Sequence, residues 1–271
     1  MSVFTSDQHH DVKTLRRLIG RRSARFDELL CVVEGPKVLS EALAGGHTVR
    51  TVFVDGHAEV PAVTEAVDRG ATLRRLAPGL LSKMSDTVTP QPVLAIVESP
   101  VVDMETLSPP PHGLVVVGVD ISDPGNAGTM IRSAELSGAV AIVFTGASVD
   151  VTSPKVVRSS AGALFHLPVV QATDTIEALR YLSGEGFQLI GTAVRGRSRV
   201  YTTSGLLVGR IAIVLGNEAH GLDEQVSAAI DDWVTIPMVG RTESLNVAMA
   251  TSVLCFEAAR QRTTDDAAEK V

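Results

Sequence analysis

The chain has 271 residues, of which 45% are hydrophobic and 4% aromatic, so it is long enough for two modest domains with buried cores. It contains no apolar run near the roughly eighteen residues of a membrane helix, and its first residues, MSVFTSDQHH, lack the basic-then-apolar layout of a secretory signal. We therefore expect a cytoplasmic globular protein that does not associate with membranes, and its net charge of -7 disfavours polyanion binding by the chain as a whole.

Positive charge is nevertheless concentrated near the N-terminus. Residues 1–97 carry a net charge of +1, whereas residues 98–271 carry -8. The first 25 residues contain a basic cluster that only Asp7 and Asp11 oppose. Such a cluster can contact a phosphate backbone, although a solvated helix face would have the same composition. The candidate phosphate contacts are Arg16, Arg17, Arg21, Arg22 and Arg25, with Lys13 beside them.

The first part of the chain alternates strand and helix patterns and predicts a small α/β domain over residues 1–97. The predicted strands cover 29–33 (LLCVV), 50–54 (RTVFV) and 93–97 (VLAIV), and helical spacing occurs near 36–45 and 61–70. A proline-dense break, SPPPHG at 108–113, cannot continue a helix or a central strand. We place a linker at 98–113.

The second part, residues 114–271, repeats the alternation. The predicted strands cover 114–119 (LVVVGV), 140–144 (VAIVF), 187–193 (FQLIGTA), 211–215 (IAIVL) and 233–236 (WVTI). Strands that alternate with helices in this way indicate a mostly parallel sheet covered on both faces, so the fold class is α/β. The last segment, SLNVAMATSVLCFEAARQR, is apolar on nearly every side through its first half, which predicts a helix buried on more than one side.

Three turns follow predicted strands at their C-terminal ends, where open α/β sheets bind ligands. The first, DPGNAGTMIRSAELSGA at 123–139, has glycines at 125 and 128, so it matches neither the dinucleotide fingerprint nor the P-loop. Pro124 at the first helical position, with glycines that merely allow a tight turn, would also explain it. The other two are GNEAHGL at 216–222 and PMVGRTESLNVAMA at 237–250.

Cys31 and Cys255 lie within apolar runs and have no partners at metal-ligand spacing. The pattern predicts two buried thiols in a reducing compartment, with no disulfide or zinc site.

The segments DPGNAGTMIRSAELSGA, LGNEAHGL and IPMVGRTESLNVAMA, in this order, resemble the three motifs of the SpoU (TrmH-like) ribose methyltransferases of the SPOUT superfamily. The resemblance covers residues 114–262, and residues 22–97 are similar to the family's small substrate-binding domain, which resembles a ribosomal protein. It implies a parallel sheet whose C-terminal part forms a deep trefoil knot. It also implies methyl transfer from S-adenosylmethionine to a ribose 2′-hydroxyl, without a metal.

The resemblance assigns roles to residues of the three motifs. Arg132 of the first motif would contact the RNA and assist deprotonation of the hydroxyl, with Asn126 beside it on the turn that enters the helix. Because an arginine rarely loses its proton, we favour electrostatic activation over general-base catalysis, whereas pairing with Glu135 on a helix surface is the alternative for Arg132. Glu218 would order the active-site loops.

In the third motif Ser244 can cap the last helix while Asn246 faces the site, although capping alone would explain Ser244. The positions that match the family's S-adenosylmethionine site are Gly191, Thr192, Leu215, Gly216, Ile236, Met238 and Leu245. There backbone groups would read the adenine and apolar side chains would enclose it.

The resemblance implies an enzyme that modifies structured RNA, with rRNA preferred over tRNA because the small N-terminal domain resembles the rRNA-directed branch. It also implies a homodimer formed through the C-terminal domain. Two alternatives remain open. One is a catalytically inactive RNA-binding relative, and the other is a nucleotide-dependent oxidoreductase, which the missing dinucleotide fingerprint disfavours.

Overall fold

The computed structural model describes residues 4–85, 89–107, 109–110, 112–193, 199–217, 220–241 and 244–268, with side chains described as far as residue 263. The chain forms two compact units. Unit 1 comprises Met1–Pro100 and Asp150–His166, and unit 2 comprises Val101–Val149 and Leu167–Val271. Across the described ranges, no helix combines the length and the apolar character needed to cross a bilayer.

The secondary-structure elements are numbered in chain order. The strands are β1 (Leu30–Glu34), β2 (Val49–Asp55), β3 (Thr72–Leu76), β4 (Val93–Glu98), β5 (Leu114–Val119), β6 (Ala141–Thr145), β7 (Val169–Gln171), β8 (Gln188–Thr192), β9 (Arg199–Val200), β10 (Ile211–Leu215) and β11 (Asp232–Thr235). The helices are α1 (His10–Gly20), α2 (Arg22–Glu28), α3 (Pro36–Ala44), α4 (Pro61–Asp68), α5 (Pro124–Leu136), α6 (Pro154–Ser159), α7 (Thr175–Gly184), α8 (Glu224–Ala228) and α9 (Val247–Ala268).

Unit 1 contains a four-stranded sheet in the order β1-β4-β2-β3, in which β4 is antiparallel to both of its neighbours and β2 pairs with β3 in parallel. Helix α1 is amphipathic because Val12, Leu15 and Leu18 recur at helical spacing, and all three side chains are buried. They share a core cluster with side chains of the sheet, among them Phe53 and Leu94. The predicted small α/β domain is confirmed.

Unit 2 contains a seven-stranded sheet in the order β7-β6-β5-β10-β8-β11-β9, and every strand pair in it is parallel. Strands β5 and β10 are neighbours at its centre and are buried along their whole length, which explains their continuous apolar sequences. The predicted parallel α/β sheet is therefore confirmed. Strand β10 follows β8 in the chain yet lies between β5 and β8. The trefoil knot stays a prediction.

Three strands have no counterpart in the sequence prediction, and each lies at or next to a sheet edge. Strand β3, with the sequence TLRRL, is at the edge of its sheet, and Leu76 is its one buried residue. Arg74 of this strand is partly exposed and donates from Nε to Oδ2 of Asp11 at 2.6 Å. Strands β7 and β9 are the edges of the second sheet and have three and two residues. Such short or half-exposed strands lack the apolar alternation on which a sequence prediction depends.

Packing interleaves stretches of chain that the sequence prediction separated. The segment 150–166 belongs to unit 1, where Arg158 Nη1 donates to Glu34 Oε2 at 3.2 Å and His166 Nε2 lies 2.8 Å from Glu41 Oε2. Within the predicted linker, Val101 forms a parallel bridge with Val169, and Met104 joins the core of unit 2. The contiguous boundaries 1–97, 98–113 and 114–271 stay a prediction.

Both predicted buried thiols are buried. Burial is the main cause that raises the pKa of Cys31 to about 12, and the nearby Asp150 carboxylate raises it further while Arg25 acts in the opposite direction. Burial likewise raises the pKa of Cys255 to about 12, against a hydrogen bond with Ser137 that lowers it. Neither thiol is a ready nucleophile at neutral pH.

Candidate active site

The first motif forms the predicted turn between β5 and α5. Pro124 occupies the beginning of the helix, where its missing N–H leaves no bond unmade. Asp123 is the N-cap, since its Oδ1 accepts a hydrogen bond from the backbone N–H of Asn126 at 2.7 Å. This cap fixes Asn126 on the first turn of the helix, at the C-terminal edge of the sheet.

Arg132 lies six residues after Asn126 on α5, and its side chain is exposed. Among the residues that the structure describes, it forms no ion pair with Glu135 or with any other carboxylate. A guanidinium in this setting can use its donors for an anionic ligand. The surface-pairing alternative for Arg132 thus receives no support from the described contacts.

Helices α5 and α9 begin side by side. Asn246 donates from Nδ2 to Asn126 Oδ1 at 3.0 Å, which joins the first motif to the third. Further along, the hydroxyls of Ser133 and Ser252 are 2.7 Å apart. The two helices therefore run in the same direction, with both N-termini at one edge of the sheet.

Asn246 also caps α9, and here the sequence prediction of Ser244 as the cap is wrong. The helix begins at Val247, and Asn246 Oδ1 accepts from the backbone N–H groups of Ala248 at 2.9 Å and Met249 at 3.3 Å. Ser244 lies two residues before the cap and is exposed. The physical reason is that Asn is as good an N-cap as Ser, so the residue type did not locate the first turn.

Asp120, three residues before the first motif, bonds to Asn217 of the second motif, and the sequence prediction named neither of them as a site residue. Asp120 follows β5 with a left-handed φ of 55°, and its carbonyl oxygen accepts from Asn217 Nδ2 at 2.9 Å. Its carboxylate Oδ1 accepts from the backbone N–H of Ala147, which follows β6, at 2.7 Å. An aspartate that directly follows a buried strand was the available signal, because Asp tolerates this backbone conformation.

The second motif folds back on itself in a tight turn. The backbone N–H of Gly221 donates to the carbonyl of Asn217 at 2.8 Å, and these residues form an antiparallel bridge. A Cβ on Gly216 would lie 2.4 Å from the carbonyl carbon and oxygen of Gly221, so only glycine fits there. Glu218, which the resemblance assigns to the ordering of these loops, lies outside the described residues.

The predicted cofactor positions lie on neighbouring strands and on the loops that follow them. Gly191 pairs with Val214 on one side and with Trp233 on the other, so Thr192 is next to Leu215 at the edge where β8 and β10 end. A Cβ on Gly191 would approach the Trp233 ring to 2.9 Å. This packing gives Gly191 a role within the sheet, independent of any ligand.

The third loop contributes apolar side chains to the same edge. Ile236 directly follows β11 and is partly buried, as is Leu245 just before α9, whereas Met238 is exposed. These side chains could cover the apolar face of a purine. The polar edge of the purine would bond to backbone groups at the ends of β8 and β10. The residues present are thus suited to an adenosyl cofactor.

The arginines of the basic cluster differ in exposure, and the prediction that Arg25 contacts phosphate is wrong because its side chain is buried. Arg25 is only 6% exposed, and its Nε and Nη2 donate to Asp150 Oδ2 at 2.9 and 2.6 Å while Nη1 donates to the carbonyls of Leu18 and Ile19. Four of its five N–H donors bond inside unit 1 and the side chain is buried, so it is not placed to bind a phosphate. The other predicted arginines are exposed: Arg16, Arg17, Arg21 and Arg22.

Comparison with known proteins identifies the family. The family model of the SpoU rRNA Methylase family matches residues 113–256, and that of the MRM3-like substrate binding domain matches residues 9–95. The chain belongs to the SpoU rRNA methylase family. All three motifs that meet at the C-terminal edge of the sheet lie inside the first match, and the exposed arginines lie inside the second.

Relatives within the SpoU family are similar over nearly the whole chain. The 23S rRNA (uridine(2479)-2'-O)-methyltransferase of Streptomyces viridochromogenes is 34% identical, with 90% of this chain and 88% of that protein covered. The 23S rRNA (guanosine(2553)-2'-O)-methyltransferase RlmP of Bacillus subtilis is 29% identical, with 94% and 98% covered. The crystal structure of an AdoMet-bound rRNA methyltransferase from Sinorhizobium meliloti has a TM-score of 0.84 at 29% identity and covers 94% of this chain and 96% of that chain.

Proposed function

We propose that this SpoU family protein transfers the methyl group of S-adenosylmethionine to a ribose 2′-hydroxyl of rRNA. The observation that carries the proposal is the convergence of the three motifs: Asn126 of the first bonds to Asn246 of the third, and Asn217 of the second bonds to the backbone of Asp120, just before the first. The Streptomyces viridochromogenes and Bacillus subtilis relatives, which match over almost the full length, are named for 2′-O-methylation of 23S rRNA, which favours rRNA over tRNA.

The cofactor supplies an electrophilic methyl group, and the residues of this chain would provide its binding site. Thr192, Leu215 and Gly216 lie at the ends of adjacent strands, where main-chain groups can bond to an adenine. Ile236 and Leu245 would exclude water from one side of the adenosyl group, and Met238 would complete the enclosure. Gly216, directly after β10, lets the backbone of Gly221 pack closely against it.

Arg132 is the residue that we assign to the ribose and its phosphate. Its exposed guanidinium has N–H donors and no acceptor, so it would act as a hydrogen-bond donor rather than as a base. Paired with a phosphate, or placed beside the 2′-oxygen, it would stabilise the negative charge that develops as the hydroxyl loses its proton. Asn126, held by the Asp123 cap and by Asn246, would orient the same group, and Ser244 and Glu218 remain candidates for ordering the loops.

We also infer that the active form is a homodimer that pairs through α9. Met249 and Phe256 are seven residues apart on this helix and are 60% and 51% exposed, so they lie on one face with Val253 between them. An apolar face of this kind is suited to a self-complementary contact around a twofold axis. The cytoplasmic location and the trefoil knot remain part of the proposal.

A methyl-transfer assay tests the function directly. The purified protein is incubated with tritiated S-adenosylmethionine and either rRNA or total tRNA, and 2′-O-methyl groups are mapped on the labelled RNA. We expect label on rRNA at a ribose, and loss of transfer without loss of cofactor binding in Arg132→Ala. Label on tRNA alone would favour the tRNA alternative. Binding of rRNA without transfer would favour an inactive relative.

A further inference from the structure

We propose that the exposed face of α2 is a stacking site for an unpaired nucleotide of the RNA substrate. The site is formed by Arg22 and Phe26, which are four residues apart and so lie on one side of the helix, together with Leu29, the exposed residue that caps the end of the helix. The inference rests on the proposed function for the presence of RNA, and it goes beyond the basic cluster by identifying where a base would bind.

Exposure of two large apolar side chains is the first observation. Phe26 is 76% exposed and Leu29 is 67% exposed. By contrast, the apolar side chains of α1 in the same unit are buried in its core. Among the described residues, no other phenylalanine is as exposed as Phe26. An aromatic ring that faces solvent next to a second apolar residue is suited to contact with a flat apolar partner.

Backbone conformation at Leu29 is the second observation. Leu29 caps the end of α2 in the left-handed conformation, with φ 52° and ψ 47°. Glycine usually takes this place at a helix end, because a Cβ is crowded there. Leu29 therefore has an unfavourable backbone conformation, and its exposed side chain gains no stability from burial. The stability of the fold does not explain why a leucine occupies this position.

Charge around this face favours RNA as the occupant. Arg21 and Arg22 are exposed, and none of the ion pairs found within the described ranges includes either of them. Arg16 and Lys13 are exposed nearby on α1, whereas Asp27 is the exposed acid on α2. A second copy of this chain would bring the same positive charges face to face, which disfavours a self-contact here.

The stacking chemistry requires an unpaired base. In an A-form duplex the bases are stacked on one another and their faces are covered, so a surface phenylalanine can reach only a base that is splayed out in a loop, bulge or single strand. The Phe26 ring would stack on that base, Leu29 would contact its edge, and the arginines would bind the flanking phosphates. This arrangement would direct the enzyme to loops rather than to helical stems.

The test compares fluorescent oligouridylate, which is largely unstacked, with a paired RNA duplex of the same length. We expect Phe26→Ala to weaken oligouridylate binding by about tenfold and to leave duplex binding unchanged, with recovery in Phe26→Tyr. Arg21→Ala with Arg22→Ala should weaken both probes. Val67→Ala on α4 and Lys37→Ala on α3 are matched controls, since each removes an exposed apolar or basic side chain elsewhere in unit 1.

Leu29→Gly separates binding from folding. Because glycine relieves the left-handed strain, this variant should unfold at the same temperature as the wild type or higher, and yet bind oligouridylate several-fold more weakly. A lower unfolding temperature with unchanged RNA affinity would show that Leu29 serves the fold, and would overturn its part in the site.

Three results would overturn the proposal as a whole. The first is no measurable oligouridylate binding by the wild type, and the second is equal oligouridylate affinity in Phe26→Ala and Val67→Ala. The third is a change of oligomeric state in Phe26→Ala without a change in RNA affinity, which would indicate a protein partner. Calorimetry with S-adenosylmethionine and methyl transfer to rRNA are measured on the same variants. The stacking site can therefore fail while the proposed function stands, or the reverse.

Discussion

Asn246 makes two different contacts through one side chain: its Oδ1 caps α9, and its Nδ2 donates to Asn126 Oδ1 on α5 at 3.0 Å. The same amide therefore stabilises a helix and joins two motifs of the proposed active site. This division between acceptor and donor makes the two roles separable by substitution.

Asn246→Asp keeps an oxygen that can cap the helix but loses the donor to Asn126. We expect the free energy of unfolding to be unchanged within about 0.5 kcal/mol, and methyl transfer to fall by at least about tenfold. Asn246→Ala should lose both and destabilise the protein by about 1 kcal/mol. Urea denaturation and a kinetic assay provide the measurements. Ser244→Ala is the stability control, and a fully active Asn246→Asp would contradict the role of the donor.

Arg25 and Arg22 should respond in opposite ways to the same substitution. Arg25→Met leaves the buried Asp150 carboxylate without its cation and should destabilise the protein by about 3 to 5 kcal/mol. Arg22→Met removes an exposed side chain and should change stability by less than about 0.5 kcal/mol, while it weakens RNA binding and reduces its salt dependence. Urea denaturation and RNA titrations at several salt concentrations distinguish the two. Equal destabilisation by both variants would be the contrary result.

Gly216→Ala should disturb the second motif, because the new Cβ would meet the Gly221 carbonyl at 2.4 Å and the backbone would have to move. We expect a loss of about 1 to 3 kcal/mol in stability and weaker binding of S-adenosylmethionine by calorimetry. Gly184→Ala, at the end of α7, is the matched control because no heavy atom lies within 4 Å of its ideal Cβ. Cofactor affinity equal to that of the control would argue against this turn as part of the cofactor site.

Phe256→Glu should disrupt the proposed dimer. A carboxylate buried in an apolar interface without a partner costs several kcal/mol, so sedimentation velocity at micromolar concentration should show monomers, with methyl transfer reduced. Phe26→Glu, which changes an exposed phenylalanine in unit 1 to the same residue, should leave the dimer intact. A wild type that is monomeric and fully active would contradict the inference.

The buried thiols should make stability fall at alkaline pH. Burial raises the pKa of Cys31 from its ordinary value of 9.0 to about 12, so at alkaline pH the folded state keeps a proton that the unfolded state loses. This contribution to stability is fully present below pH 9 and is lost as the pH rises toward about 12. Cys31→Val should show a smaller decline in the free energy of unfolding over this range, and an identical decline in the two proteins would be inconsistent with it.

The fold class could be read from the amino-acid sequence, and the resemblance of three motifs to the SpoU family supplied the candidate site residues. Strands β5 and β10 were predictable because strands buried on both faces of a parallel sheet are continuously apolar. The motifs around Asn126, Gly216 and Asn246 were recognised by their resemblance to the three motifs of the SpoU family, since their glycine spacing alone matches no general ligand-binding fingerprint. All of this information is local in the chain.

Which side chains meet could be seen only in the folded chain. Arg25 was indistinguishable from its neighbours in the basic cluster until Asp150, 125 residues away, was found to occupy its guanidinium. Asn217 reaches the backbone of Asp120 across 97 residues, and Asn246 reaches Asn126 across 120. Long-range pairing leaves no periodic trace in the sequence, because each partner needs only to be polar and correctly placed once the strands have assembled.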